Sequence, residues 1–296
     1  MRWVCVSMLA AAAATATAAP QQDIYNNSVR YASGQSVQPV FEGWSKNPDG
    51  SFAMWFGYLN RNYEERLNVP VGPDNHFEPG NPDMGQPTHF LPGRRYGMFV
   101  YTVPKDFPKQ QKLKWVLRVN GITTSVPLYM SPDYNISPFQ SSEESAGGGY
   151  NQPPVLRVLT EGAARIAGPL ASPARAAART AAVGIPLALD VWADDDAKYS
   201  SGASTPMRGA GSPVQLVWSK YRGPGHVAFA DARPKLETLK GGQPDEAYSG
   251  KASTTATFSA PGQYMLHVTA NDYSGEGGGG EVCCWTTAIV KVAVTP

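Results

Sequence analysis

The 296-residue chain has little cysteine, and this limits how its fold can be stabilised. Its three cysteines are Cys5, near the N-terminus, and the adjacent pair Cys283 and Cys284. Two neighbouring residues cannot link distant strands of one chain, which excludes a disulfide framework. The fold must therefore be held together by the packing of its side chains.

Charge is also scarce. Charged residues make up 17% of the chain and nearly cancel, to a formal net charge of +1. Nucleic-acid-binding domains carry a clear excess of positive charge, so no nucleic acid partner is expected. Beyond the N-terminus, no apolar run approaches the roughly 20 residues of a membrane-spanning helix. We expect no membrane span in the mature protein.

Glycine and proline, by contrast, are abundant, with 30 and 26 residues. Turn-rich all-β proteins have this composition. The length is typical of about two domains, and 42% hydrophobic residues are enough to give each a core. We predict an all-β protein of two β-sandwich domains.

The N-terminus has the three parts of a secretory signal peptide. Arg2 is the positive end, Val4–Ala14 is a short apolar run, and Ala16–Ala18 fits the small-residue rule for cleavage. The apolar run is too short for a membrane anchor. Residues 1–19 are therefore predicted to be cleaved, and the mature protein is expected to be exported to the periplasm or the extracellular space.

Composition divides the rest of the chain into four parts. Residues 20–36 are a polar N-terminal arm, and residues 140–152, rich in Ser, Glu and Gly, are a linker. The first β-sandwich domain is predicted over 37–139 and the second over 153–296.

Short apolar segments between turn residues predict the strands of the first domain. They are 51–59, 96–103, 112–119 and 122–126. Asn120-Gly121, between the last two, is a strong hairpin signal. Residues 60–95 are predicted to form one long loop, and a loop of that length in a compact domain is often functional.

Seven strands are predicted in the second domain from similar patterns. They are 155–159, 187–193, 214–219, 226–230, 253–258, 264–270 and 288–294. Residues 161–182, rich in Ala, Arg and Pro, are interpreted as an irregular insertion, with a short helix as the alternative. In the strand after Pro261-Gly262, alternation directs Tyr264 and Leu266 inward and His267 outward, where it needs no role.

The motif Pro261-Gly262-x-Tyr264 resembles the corner before strand F of immunoglobulin-like folds, where a Tyr hydroxyl ties back to the backbone. The resemblance puts Leu266 at the usual cysteine position, opposite Leu189 of strand B, and makes Trp218 the buried Trp of strand C. Together with the Asp run after strand B, residues 153–296 resemble PKD-like and cadherin-like domains of secreted bacterial proteins. This implies a disulfide-free sandwich and no particular activity.

The first domain carries a separate resemblance. Its segments Phe56–Glu65, Pro70–Asn75 and Gly85–Phe90 are similar to parts of uncharacterised exported bacterial proteins. No activity follows from that similarity.

A calcium site is one candidate in the second domain. In an immunoglobulin-like sandwich the B–C and F–G loops lie at the same end, which would bring Asp194, Asp195 and Asp196 near Asn271 and Asp272. Converging oxygen ligands are what Ca²⁺ requires, and Ca²⁺ is the cofactor considered. The alternative is a solvated acidic loop whose Asp side chains bond to turn backbone.

Cys283 and Cys284 fall in the same F–G loop. In an exported protein they can oxidise to a vicinal disulfide, which would stiffen the loop. The alternative is a pair of structural or incidental thiols, since nothing nearby in sequence activates them. Their spacing does not match the C-x-x-C pattern of zinc sites.

The long loop of the first domain contains the candidate binding residues Asp74, His76 and His89. Histidine and carboxylate side chains can ligate a metal, but these intervals match no metalloenzyme motif. The alternative is that they are ordinary surface residues.

Aromatic residues of the first domain are candidates for a platform that stacks on sugar rings. They are Trp44, Trp55, Tyr58 and Tyr63. The alternative is that aromatic residues on strands belong to the core.

No catalytic constellation is recognisable, since G-x-S-x-G, H-E-x-x-H and a Cys spaced with a partner His are all missing. The preferred function is a non-enzymatic binding, adhesion or structural protein that uses loops on a rigid scaffold. The alternatives are a carbohydrate-binding module and a cell-envelope enzyme, metal-dependent or redox. The expected partner is an extracytoplasmic protein or a glycan.

Overall fold

Strands make up nearly all the regular structure of this protein. The computed structural model describes residues 31–108, 113–138, 152–168, 176–197, 212–241, 246–272, 281–282 and 285–296. Within them one short 3-10 helix occurs, at Pro132–Tyr134. The all-β class is thus confirmed. Among the residues described, no helix is long and apolar enough to cross a bilayer.

The first sandwich consists of two three-stranded antiparallel sheets, β1-β2-β6 and β4-β7-β8. A two-residue pair, β3-β5, lies beside them, and β9 pairs in parallel with β19 of the second half. The bounds are β1 Val37–Lys46, β2 Phe52–Asn60, β3 Leu67–Asn68, β4 Asn75–Glu78, β5 His89–Phe90, β6 Gly93–Val103, β7 Lys114–Val119, β8 Ile122–Pro127, β9 Ser137–Pro138 and β19 Glu281–Val282.

Strand β2 is buried on both faces, as its continuous apolar run predicts. Met54 and Phe56 enter the core of the first sandwich. Trp55, on the opposite face, packs in a separate cluster with Trp285 of the second sandwich. The double burial of β2 is therefore explained by a neighbour from the other half of the chain.

The hairpin between β7 and β8 is confirmed. Asn120 and Gly121 both have positive φ, 51° and 77°, as a two-residue type I′ turn requires. Val119 then pairs with Ile122. The predicted inward residues of β7 are buried: Leu113 just before it, Trp115, Leu117 and Val119.

Residues 60–95 contain three short strands instead of one continuous loop. Strand β4 pairs with β7 and so belongs to the second sheet. Asn75 is fully buried there, accepts a hydrogen bond from Trp115 Nε1 at 2.9 Å, and donates to the carbonyls of Val69 and Pro87. This network holds the segment against the core.

The second sandwich has the immunoglobulin arrangement. One sheet runs β11-β10-β13-β17-β15, with β16 also paired to β17, and the other runs β12-β20-β18-β14. In immunoglobulin terms β10, β13, β17 and β15 are strands A, B, E and D, and β14, β18 and β20 are C, F and G. The bounds are β10 Val155–Val158, β11 Ile166–Ala167, β12 Ala177–Ala182, β13 Leu187–Asp195, β14 Gln215–Arg222, β15 Val227–Phe229, β16 Glu237–Lys240, β17 Tyr248–Phe258, β18 Gly262–Asn271 and β20 Trp285–Thr295.

The corner before β18 is built as the resemblance implies. The Tyr264 hydroxyl donates to the carbonyl of Ala260 at 2.8 Å and accepts from the backbone N–H of Gly225 at 2.9 Å. Leu189 and Leu266 are both fully buried in one core with Trp218. The immunoglobulin-like sandwich is confirmed, with leucines packed at the two positions where the usual disulfide joins strands B and F.

Replacing Tyr264 by phenylalanine is expected to lower the free energy of unfolding by about 1–3 kcal/mol. The ring stays in place, but the Gly225 N–H and the Ala260 carbonyl lose their partner. Urea denaturation measures the loss, with Tyr129→Phe as the matched control because Tyr129 is 47% exposed. Equal stability of the two variants would show that the corner hydroxyl does not stabilise the sandwich.

Residues 161–182 are not a wholly irregular insertion, which corrects the interpretation from composition. They include β11 and end in β12, which runs parallel to the last strand, with Ala177 opposite Val290 and Ala182 opposite Thr295. An Ala-rich edge strand shows no apolar–polar alternation, so its sequence does not reveal the pairing.

The outer face of the β14-β18-β20 sheet packs against the first sandwich. Tyr221 and Ile289 join the core of the first sandwich, and Trp285 packs on Trp55. His267, expected to point outward without a role, is 3% exposed. The His267 side chain points to the outer face of its sheet, as predicted, but the first sandwich covers that face.

Candidate ligand groove

The segment before β6 fastens the two sandwiches together. The Tyr221 hydroxyl donates to the Gly85 carbonyl at 2.5 Å, and the Thr88 N–H donates to the Tyr221 carbonyl at 3.1 Å. Arg222 forms a two-pronged pair with the carboxylate of Asp83, at 2.8 and 2.9 Å. That guanidinium holds the pKa of Asp83 below its ordinary value. These bonds fix the relative position of the two sandwiches.

A groove of about 970 Å³ opens where the sandwiches diverge. Its floor is the outer face of β14 and β18, including Val217, Ser219 and Thr269. Its opposite wall comes from the first sandwich, between His89 and Met98. Both surfaces are strands or short connections fixed by the interface, so the groove is largely preformed.

One corner of the groove holds a buried lysine. Lys220 is 9% exposed, and burial lowers its pKa. Its Nζ donates to Asn68 Oδ1 at 2.8 Å and to the Gly225 carbonyl at 2.9 Å. Within the described part of the chain it forms no ion pair with a carboxylate.

His89 lies beside that lysine. Its Nδ1 is 2.9 Å from Asn68 Oδ1, the same oxygen that accepts from Lys220. An amide oxygen only accepts, so Nδ1 carries the proton and Nε2 does not. Burial, followed by the charges of Lys220, Arg66 and His226, lowers the pKa of His89 to about 4. The ring is therefore neutral at pH 7.

The groove has a surplus of positive charge. Lys220 and three arginines line it, and Asp272 is the acidic residue among the lining side chains. The arginines are Arg66, Arg95 and Arg233. No hydrogen bond or ion pair to their guanidinium groups is found within residues 31–108, 113–138 and the described parts of the second sandwich.

Neutral hydrogen-bonding groups and aromatic rings make up much of the remaining lining. The amides and hydroxyls belong to Asn68, Gln215, Ser219, Thr269 and Asn271, and the rings to Tyr96, Trp218, Phe229 and Trp285. Trp218 Nε1 and His267 Nε2 are buried polar atoms without a hydrogen-bond partner among the described residues. Such atoms are uncommon in folded proteins and often mark functional sites.

His267 lies at the floor of the groove. Its ring stacks on Tyr221, with centroids 5.8 Å apart and planes inclined by 24°. Burial lowers its pKa to about 4, so it is neutral at pH 7.

The predicted calcium ligands do not form one group. Asp194 pairs with Arg157 and Arg165, each at 2.9 Å, while Asn271 and Asp272 line the groove. Asp195 accepts the backbone N–H of Ala197 at 2.9 Å, which is a turn contact. Across the described ranges, no three His, Cys, Asp or Glu side chains are placed to hold a metal ion. Cys283 and Cys284 lie outside the described residues.

The three residues predicted in the long loop are separated. Asp74 pairs with Arg118 at 2.6 Å, and His76 Nε2 is 3.5 Å from a Glu78 oxygen. His89 is the member of this set that lines the groove.

The predicted aromatic platform is also divided. Trp55 and Tyr58 are buried in the cores, where they cannot stack on a surface ligand. Trp44 is half-buried and its Nε1 donates to the Ser131 carbonyl at 2.8 Å. Tyr63 is 61% exposed.

Several groove residues were missed by the sequence analysis. Lys220 was the one that the sequence could have indicated. It lies in the mostly apolar segment Leu216–Tyr221, and a lysine is rarely buried in a strand unless it is paired. The positions of Arg66 and Arg95 opposite that strand have no local sequence signal.

No protein-family model matches the chain, and no curated protein matches it by sequence. Among solved structures, domains 4 and 5 of the S-layer protein SbsC align over 78% of this chain and 100% of theirs, at 10% identity and a TM-score of 0.23. The D00-D0 domain of Intimin aligns over 87% of this chain and 100% of its own, at 9% identity and a TM-score of 0.24. Likeness at this level carries no argument about function, and the fold assignment rests on the strands and sheets of the chain itself.

Proposed function

We propose that the protein is an exported, non-enzymatic binding protein, suited to adhesion, that holds a saccharide in the groove between its two sandwiches. The observation that carries the proposal is the lining of that groove. Amide and hydroxyl side chains lie there with the partly exposed rings of Tyr96 and Phe229, and such groups pair with sugar hydroxyls and stack on the apolar faces of sugar rings. Export is supported by the signal-peptide pattern of residues 1–19.

The size and rigidity of the groove also suit this role. A volume of about 970 Å³ lies at the upper end of the range for ligand pockets, roughly 300–1,000 Å³. Arg222, Asp83 and Tyr221 hold the two walls in place before any ligand arrives. A preformed site loses less entropy on binding than one that must first be ordered.

The charge of the groove favours binding over cleavage. Most glycosidases use two carboxyl groups, one on each side of the scissile bond. Asp272 is the acidic side chain found in the described lining of the groove. Two converging carboxyls are therefore not present among the described lining residues, which supports a role in holding the saccharide.

Isothermal titration with maltotriose, cellotriose, tri-N-acetylchitotriose and trigalacturonate tests the proposal. At least one of them is expected to bind the wild-type protein. In Ser219→Trp, an indole placed on the groove floor should weaken that binding at least tenfold. Leu239→Trp, on the exposed strand β16, is the matched control and should bind as wild type does.

The proposal has two ways to fail. The first is that none of the saccharides binds the wild-type protein. The second is that Ser219→Trp has an unchanged melting temperature and binds the saccharide as tightly as the control does. The second result would place the binding site outside the groove.

A further inference from the structure

We infer that the saccharide is acidic, and that Lys220, His89 and Arg66 form the subsite that holds its carboxylate or sulfate group. This inference rests on the proposed saccharide-binding function. It concerns one corner of the groove, which we call the cationic corner and define by these three residues.

Lys220 is the main observation behind the cationic corner. Removing an ammonium group from water is costly unless a negative charge or several hydrogen bonds replace the water. Lys220 Nζ has three N–H donors, and two are used, by Asn68 Oδ1 and the Gly225 carbonyl. Both acceptors are neutral. The third donor and the full positive charge remain for an anion in the groove.

His89 adds a second donor that depends on the anion. Asn68 holds Nδ1 in its protonated form, which leaves Nε2 to accept a proton. The groups that face this ring are Lys220, Arg66 and His226, and the cations Lys220 and Arg66 oppose that protonation. A bound carboxylate or sulfate would offset them, and the ring would then gain a proton and donate to the anion.

Arg66 completes the corner from the first sandwich. It is exposed, lines the groove, and lies close enough to His89 to act on its titration. A guanidinium group can bind a carboxylate or sulfate through two parallel hydrogen bonds. The corner thus combines a buried point charge with an exposed planar donor, from opposite walls of the groove.

The experiment compares trigalacturonate with its fully methyl-esterified form, which has the same rings and no charge. Titration calorimetry of the full chain at pH 6 is expected to show at least tenfold tighter binding of the acid. Galactose 6-sulfate and galacturonate, compared as monosaccharides with galactose, separate the sulfate from the carboxylate. The preference for the acid should widen from pH 8 to pH 5, because His89 takes up a proton with the anion.

Lys220→Met keeps the length of the side chain and removes its charge. It is expected to abolish most of the preference for the acid, measured as the ratio of the affinities for the acid and for the methyl ester. Lys235→Met, at an exposed lysine, is the control and should keep the preference. Arg66→Gln changes an exposed residue and should reduce the preference at least threefold, with the melting temperature of the variant measured beside it.

The outcomes separate the two proposals. Equal binding of acid and ester, with no effect of Lys220→Met or Arg66→Gln, overturns the cationic corner and leaves saccharide binding intact. If the neutral trisaccharides bind but the acid and the sulfated sugar do not, the cationic corner is overturned and saccharide binding stands. If no saccharide binds, both proposals are contradicted.

Discussion

Replacing Tyr221 by alanine is expected to lower the free energy of unfolding by about 3–5 kcal/mol, as for other large aromatic side chains removed from a core. Tyr221 belongs to strand β14 of the second sandwich, yet it is 1% exposed within the core of the first. Its ring also supports His267, and its hydroxyl donates to the Gly85 carbonyl. Two kinds of contact between the sandwiches, and one stacking contact within the second sandwich, are lost in this one change.

The same substitution is expected to uncouple the two sandwiches. Wild type should unfold in one transition, because the shared interface makes each half stabilise the other. Tyr221→Ala should show two transitions, or a clearly lower denaturant dependence. Urea unfolding followed by tryptophan fluorescence and by circular dichroism measures both effects.

Two variants sharpen the test of Tyr221. Tyr221→Phe removes the hydroxyl alone, and a loss of about 1–2 kcal/mol is expected from the orphaned carbonyl of Gly85. Tyr129→Ala, at a half-exposed tyrosine, should cost less than about 1 kcal/mol. If Tyr221→Ala costs no more than Tyr129→Ala, the interface does not stabilise the protein.

Acid is expected to destabilise the protein strongly through His267. Burial lowers the pKa of this ring to about 4 in the folded state, against an ordinary value of 6.5. Between these two values the unfolded chain binds a proton that the folded chain does not, so stability falls as pH falls from about 6.5 to 4. One pH unit of pKa difference corresponds to about 1.4 kcal/mol, so the full loss is about 3 kcal/mol.

His267→Phe isolates this contribution. Phenylalanine keeps an aromatic ring on Tyr221 and removes both the titrating group and the buried Nε2 without a described partner. The variant should equal or exceed wild type at pH 7.5 and lose about 2.5 kcal/mol less than wild type on going to pH 4.5. His89, whose pKa shifts in the same direction, is present in both proteins and cancels from the comparison.

Urea unfolding at the two pH values gives the difference directly. Thr123→Val, at an exposed position of strand β8, adds and removes no titrating group and is the control; it should parallel wild type. A His267→Phe profile that also parallels wild type would mean that His267 becomes charged in the folded protein without cost.

Much of the fold was predictable because it depends on local patterns. Three features are each recognisable from a few consecutive residues. They are the Asn120-Gly121 turn, the strand β2 that is apolar on both faces, and the corner at Tyr264. Strand β1 was missed because its inward positions include Pro39, Gly43 and Ser45, which hide the alternation. Strand β12 was missed because its partner is about 110 residues away, and a parallel pairing leaves little local trace.

The candidate site was much less predictable. The sequence placed His89 in a functional segment, and the structure puts it in the groove. The sequence could not show that Asp194 forms ion pairs with Arg157 and Arg165, because these arginines lie about 30 or more residues before it in the chain.

The sequence by itself determined that the chain is all-β, that packing and not a disulfide between strands B and F holds the second sandwich, and which side chains point to one face in the strands that it revealed. Only the tertiary structure decided whether the other face meets water. His267 alternates outward as a surface residue does, but the first sandwich covers it. The physical reason is that alternation records the direction of a side chain, whereas burial depends on what another part of the chain places there. The groove and its charge exist because two sandwiches share that face.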